Sequence, residues 1–175
     1  MKETKSNKGY IVGIVIVAVL IVGALLIGLI GKFGDSGIRK AKFTTSKGDV
    51  VIEVFEDRMP ITSARFIELV ESGFFKDKTF HRVEEWVIQA GMEETPKYEG
   101  IEFENDEELL NRRGMVGMAR AGDSFNSATT EFYIIKRDAK SIDGQYAVFG
   151  RVRTGMAVVD KIVADDVITN CEMID

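Results

Sequence analysis

The sequence predicts a mainly β fold, a closed antiparallel barrel with helices covering its ends, preceded by one transmembrane helix. Three observations predict it. Many short runs of apolar and β-branched residues are separated by turn residues, the pattern of a sandwich or barrel. Two segments, far apart in the chain, carry apolar residues at helical spacing. Gly9 to Gly31 runs 23 residues without a charge, and from Tyr10 onward 18 of 22 are apolar and the other four glycine.

Residues 1–9 form a short polar tail carrying Lys2, Lys5 and Lys8. Residues 10–31 form the transmembrane helix. Ile11 to Ile30 is long enough to cross a hydrocarbon core of about 30 Å at about 1.5 Å per residue. A cleaved signal peptide, the rival reading, has an apolar region of about 7–15 residues and a small-residue cleavage site. Leu29-Ile30-Gly31 is a poor site and the run is longer, so the segment reads as an uncleaved signal anchor. Lys32, Arg39, Lys40 and Lys42 nearly balance the basic tail. The short tail favours an N-inside, single-pass arrangement with the domain extracytoplasmic. Residues 32–40 are a flexible linker, rich in glycine at its start.

Residues 41–175 then hold the domain. Ala41–Thr45 and Val50–Phe55 read as strands around the turn Ser46 to Asp49. Pro60 precedes Thr62 and Ser63, which read as helix N-cap residues, and Ala64, Phe66, Ile67, Leu69 and Val70 follow at helical spacing up to Gly73. Phe80–Val83 and Trp86–Ala90 read as strands with an irregular join. Residues 93–113 are an acidic surface loop with a short helical turn at Asp106–Asn111. Met115–Ala119, Glu131–Ile135, Ala147–Val152 and Val167–Met173 are further strands, and Met156–Ala164 is the second helix.

Charge and composition exclude several function classes. Residues 43–175 carry 16 basic and 26 acidic side chains, a net charge of -10, which is unsuited to binding nucleic acid. The single cysteine, Cys171, excludes an intrachain disulfide and any CxxC motif. The single histidine, His81, excludes a multi-histidine metal centre, so no metal site is expected. No glycine-rich phosphate loop and no G-x-S-x-G elbow is present. In Phe80-His81-Arg82-Val83, two polar residues interrupt an apolar strand. The plain structural reading has Phe80 in the core, His81 satisfying a buried backbone group and Arg82 in an ion pair.

At these residues the chain resembles the cyclophilin-type peptidyl-prolyl cis-trans isomerases. Thr44-Thr-Ser-Lys-Gly-Asp49 resembles the family's opening hairpin, and Met59-Pro-Ile-Thr62 through Gly73-Phe-Phe75 its first helix. Thr79-Phe-His-Arg-Val83 with Gln89-Ala-Gly91 resembles the signature around the catalytic arginine. Arg113 to Arg120, Asn126 to Tyr133 and Asp143 to Gly150 resemble later elements in the family's order. The resemblance covers Ala41 to Asp175 and implies an eight-stranded closed barrel capped by two helices.

It also implies a reaction that needs no cofactor, metal or nucleophile. An X-Pro amide prefers trans by only about 0.5–1 kcal/mol, but its rotation barrier is about 18–20 kcal/mol. The barrier is the lost resonance of the C–N bond. A catalyst must hold proline in an apolar pocket and stabilise the twisted amide, whose pyramidal nitrogen accepts a hydrogen bond. A guanidinium, always charged and rigid, suits that task. By resemblance Arg82 is this group, and Gln89 steadies it and hydrogen-bonds the substrate backbone. Trp86, Val87, Tyr133 and Ile142 form the proline pocket, Tyr146 offers its hydroxyl to the substrate carbonyl, and Ala119 and Arg120 pair with the substrate's backbone.

The chain departs from the family in places. Glu131 stands where a glutamine usually supports the arginine, and is expected either to orient Arg82 or to compete with substrate for it. Val83-Glu84-Glu85-Trp86 is one residue shorter than usual and puts charges near the groove mouth. Ser141 replaces a frequent tryptophan that helps bind cyclosporin, so weak affinity for that drug is expected. The expected function is a membrane-anchored isomerase acting on proline-containing polypeptide clients. The alternative is a non-catalytic prolyl-peptide-binding module or chaperone of the same fold.

Overall fold

The computed structural model describes residues 38–93 and 97–174. The anchor expected at 10–31, its polar tail and most of the linker lie outside these residues. No helix among the described residues is long and apolar enough to cross a membrane.

Eight strands form one curled sheet: β1 (Lys40–Thr45), β2 (Gly48–Val54), β3 (Arg82–Val83), β4 (Val87–Ala90), β5 (Met115–Met118), β6 (Phe132–Ile135), β7 (Val148–Thr154) and β8 (Ile168–Ile174). Their order is β3-β4-β6-β5-β7-β2-β1-β8, every pairing antiparallel. The outer strands β3 and β8 do not pair directly. The segments leading into them meet, with Thr79 bridging Val167, the Phe80 N–H bonded to the Asp166 carbonyl at 3.0 Å and the Ile168 N–H to the Lys78 carbonyl at 2.8 Å.

Period-2 alternation builds the core. Ala41 and Phe43 of β1, Ile88 and Ala90 of β4, and Phe132 and Ile134 of β6 turn inward and are buried. Helix α1 (Pro60–Glu71) lays Phe66, Ile67, Leu69 and Val70 against them. Phe66 is the hub, with its ring centroid 4.7 Å from that of Phe149, 5.7 Å from those of Phe75 and Phe132 and 5.9 Å from that of Phe43. The helix stops as expected at Gly73, whose φ of +71° lets the Phe74 N–H reach back to the Leu69 carbonyl at 2.9 Å.

Two details differ from the sequence reading. Thr62 and Ser63 do not cap α1: they lie inside it, fully buried, their hydroxyls without partners. The cap comes from the distant Glu104, whose carboxylate accepts the N–H groups of Ile61 (2.9 Å) and Thr62 (2.6 Å) at the positive end of the helix. The second helix, α2, covers only Met156–Val159 rather than extending to Ala164. The chain beyond it tightens, and Asp166 accepts the Val163 N–H at 2.8 Å, turning the backbone into β8. In the loop 93–113 the expected turn is a single hydrogen-bonded one, the Leu109 N–H reaching the Asp106 carbonyl at 3.0 Å.

Ion pairs and N–H donors hold several carboxyls below their ordinary pKa. Arg82 and Trp86 do so for Glu84, Lys42 for Asp49, and Arg113 for Asp160. For Asp166 the Val163 N–H is the main cause. A depressed folded pKa contributes stability above the ordinary value, 3.8 for Asp and 4.5 for Glu, and loses it as pH falls through the lower folded value. Thermal melts followed by circular dichroism are therefore expected to give a Tm that is level above about pH 5 and falls progressively below it. A Tm that rises on acidification would contradict this.

Candidate active site

The residues that turn outward from the same strands build a second, smaller cluster on the sheet's outer face. Val87, Tyr133 and Ile135 are buried there, with Trp86, Ala119, Ala139, Ile142 and Tyr146 packed around them. Strand register sets the layout. Arg82 on β3 pairs with Gln89 on β4, Gln89 with Tyr133 on β6, and Tyr133 with Gly117 on β5. One row across four strands thus carries a cation, an amide, a phenol and a bare backbone. A cavity of about 340 Å³ opens over this row, lined by Arg82, Trp86, Val87, Gln89, Ala119, Arg120, Tyr133, Ile142 and Tyr146.

Tyr133 is the floor, and Gly117 makes room for it. A Cβ at Gly117 would stand 2.2 Å from the Tyr133 hydroxyl oxygen. The ring instead lies across β5, and its hydroxyl donates to Asn111 Oδ1 at 2.7 Å. Burial pushes the phenol's pKa far up, so Tyr133 stays a neutral donor. Asn111 is itself fully buried and is held by Asp143, which accepts its N–H at 2.7 Å. Gly117→Ala is expected to expel the Tyr133 ring and orphan Asn111, destabilising the domain by about 1–3 kcal/mol and weakening prolyl-peptide binding at least about tenfold. Melts and a peptide titration measure both; wild-type binding in this variant would contradict the floor assignment.

Arg82 stands at the rim. Its Nε donates to Glu84 Oε1 at 2.7 Å, and its Nη1 to Gln89 Oε1 at 3.3 Å. Its guanidinium carbon lies 5.3 Å from the Trp86 ring centroid. Of five guanidinium N–H groups, two are engaged and three have no protein partner among the described residues. Arg120 forms another wall, stacked 4.2 Å from the Phe125 ring and 4.9 Å from that of Tyr146 while its Nε donates to the Gln145 carbonyl at 2.9 Å. Tyr146 meets Tyr133 edge-on at 5.9 Å.

Several expectations need correction. Glu131 neither contacts Arg82 nor lines the cavity; one of its oxygens accepts from Gln89 Nε2 (2.5 Å) and sits 3.1 Å from His81 Nε2. It acts on Arg82 only through Gln89. His81 meets this carboxylate rather than a backbone group, and its Nδ1 is buried without a partner. Phe80 is in the core as expected. Ala119 spends its N–H on the Glu131 carbonyl at 2.8 Å, so that donor is not free for a peptide. The ion pair of the plain structural reading is present too, with Glu84.

Sequence reasoning missed Glu84, Asn111 and Gly117 as parts of the site. Glu84 carried a signal: Arg82, Glu84 and Trp86 are spaced by two, which places them on one side of an extended chain. Asn111 carried none, because its role depends on a phenol 22 positions away.

The sequence profile described as "Cyclophilin type peptidyl-prolyl cis-trans isomerase/CLD" matches residues 40–173. The chain belongs to the cyclophilin-type peptidyl-prolyl cis-trans isomerase family. The cyclophilin domain is 37% identical to peptidyl-prolyl cis-trans isomerase B of Escherichia coli strain K12, over 69% of this chain and 81% of that protein. It is 36% identical to peptidyl-prolyl cis-trans isomerase A of Dickeya dadantii, over 68% of each. Its fold matches a cyclophilin-type isomerase from Cryptosporidium parvum, solved in the presence of the dipeptide Ala-Pro, with a TM-score of 0.69 at 22% identity, over 78% of this chain and 99% of that one. Arg82, Gln89 and the outer apolar cluster stand on the sheet of this cyclophilin domain, and the Glu84 contacts lie in its turn between β3 and β4.

Proposed function

We propose that this chain is a membrane-anchored peptidyl-prolyl cis-trans isomerase acting on flexible, proline-containing polypeptides. Its domain is residues 41–175, tethered through 32–40 to an anchor at 10–31 that leaves the domain on the extracytoplasmic side. The 77–80 and 165–168 backbone bonds support reading its curled sheet as a closed barrel.

One observation carries the catalytic reading: a fixed guanidinium, with three N–H groups unengaged among the described residues, on the rim of a cavity that has a phenol floor and an apolar side of Val87 and Ile142. Proline enters against Val87, Tyr133, Ile142 and the Trp86 face. Arg82 donates to the prolyl nitrogen, which accepts only once resonance is broken, so the bond is stronger in the twisted state than in either planar one. Gln89, braced by Glu131, holds the guanidinium's other side and offers its amide to the substrate backbone. Arg120 and Tyr146, stacked on one another, form one wall beside the chain. No bond breaks, and no proton is transferred.

A second reading, a non-catalytic prolyl-peptide-binding module, is favoured by one fact: Arg82 already has a carboxylate partner in Glu84. Exchange spectroscopy on an Ala-Pro peptide with the full chain in detergent micelles separates the two. Cis–trans exchange at substoichiometric chain supports the isomerase; peptide shifts without exchange establish the binding module. Protease accessibility of residues 41–175 in intact cells tests the extracytoplasmic placement.

A further inference from the structure

We propose that Glu84 is a positioning residue for the isomerase reaction, its carboxylate joining the Arg82 guanidinium and the Trp86 indole into one preset unit. This rests on the isomerase reading above. Each oxygen of Glu84 takes one donor: Oε1 accepts from Arg82 Nε at 2.7 Å and Oε2 from Trp86 Nε1 at 2.7 Å. The same indole ring lies 5.3 Å from the guanidinium carbon. Three side chains at alternate positions thus close a triangle at the cavity rim, and two of its corners, Arg82 and Trp86, line the cavity.

The carboxylate is placed by backbone rather than by chance. The Glu84 N–H donates to the Val87 carbonyl at 2.8 Å, which makes 84–87 a tight turn. Its carbonyl accepts from Lys136 Nζ at 3.2 Å, and the Trp86 carbonyl accepts the Lys136 N–H at 2.7 Å. The turn is therefore pinned at both ends to the residues following β6. Gln89 grips the guanidinium from its other side, so the plane of Arg82 is fixed by two acceptors and its remaining N–H groups are left for the substrate.

Two effects of the carboxylate oppose each other. It partly offsets the positive charge that stabilises the twisted amide, and it removes the rotamer freedom of a long side chain. The pair is exposed, 43% for Arg82 and 44% for Glu84, so water screens the charge offset. Ordering of the guanidinium is not screened, and positioning is the larger effect. An exposed ion pair with no such role would leave turnover unchanged.

The test uses the full chain in detergent micelles, an Ala-Pro peptide, and Trp86 as the only tryptophan. Glu84→Ala is expected to lower kcat about tenfold with KM within about twofold, the size of one charge-assisted hydrogen bond at an open site. Its Tm stays near wild type, while the indole N–H resonance moves to the position of an unbonded indole. Glu84→Gln, isosteric and with one acceptor oxygen for two donors, falls between Ala and wild type and carries the test if the alanine variant folds poorly. Unchanged or raised kcat in both variants, with wild type still faster than Arg82→Ala, would overturn the Glu84 role and leave the isomerase reading standing. Wild type no faster than Arg82→Ala would overturn both.

Discussion

Arg82→Lys is expected to be nearly as damaging as Arg82→Ala, each lowering kcat/KM for an Ala-Pro peptide by about 10²–10³, the loss typical of removing one transition-state donor. An ammonium keeps the charge but is a single point donor on a flexible stem. It cannot meet Glu84 on one side and Gln89 on the other and still face the cavity, as the guanidinium does. The loss should fall on kcat, because Val87, Tyr133 and Ile142, the apolar side of the cavity, are unchanged. Steady-state kinetics on the three proteins measure it. Arg82→Lys retaining more than about a third of wild-type activity would show that charge alone suffices, and would remove the reason for the two-sided grip.

Phe66→Ala is expected to destabilise the domain by about 3–5 kcal/mol, the range for a truncated buried aromatic. Phe66 is fully buried on the inner side of α1, with ring centroids 4.7 Å from Phe149, 5.7 Å from Phe132 and 5.7 Å from Phe75. Phe132 and Phe149 stand on β6 and β7 and Phe75 on the turn after α1, so the hole cannot be filled by one local shift. Tm should drop by about 10–20 °C. A drop below about 5 °C would show that the inner aromatic cluster relaxes far more freely than its packing suggests.

Some of this was legible in the sequence because it follows from local pattern. The alternation of Val50, Ile52 and Val54 set β2, and the helical spacing from Ala64 to Val70 with Gly73 behind it set α1. The motif around Arg82 and Gln89 carried the family and most of the cavity's lining. What failed depends on contacts between distant residues. Thr62 and Ser63 have the right chemistry for a cap, yet Glu104, 42 positions on, takes the helix N-terminus. Glu131 was read as a neighbour of Arg82 because the aligned glutamine is; here Gln89 and His81 absorb its carboxylate. Glu84 was noticed only as charge near the groove mouth, since nothing in a sequence shows that one carboxylate meets both an arginine and an indole.

Arg82 holding a twisted X-Pro amide is the central claim, and a rate measurement addresses it most directly. The cis-to-trans rate of an Ala-Pro peptide is followed with increasing full chain in detergent micelles, wild type beside Arg82→Ala. The account predicts a rate that rises in proportion to wild-type chain, with a slope at least about 10²-fold that of the variant. Equal slopes for the two proteins would contradict it.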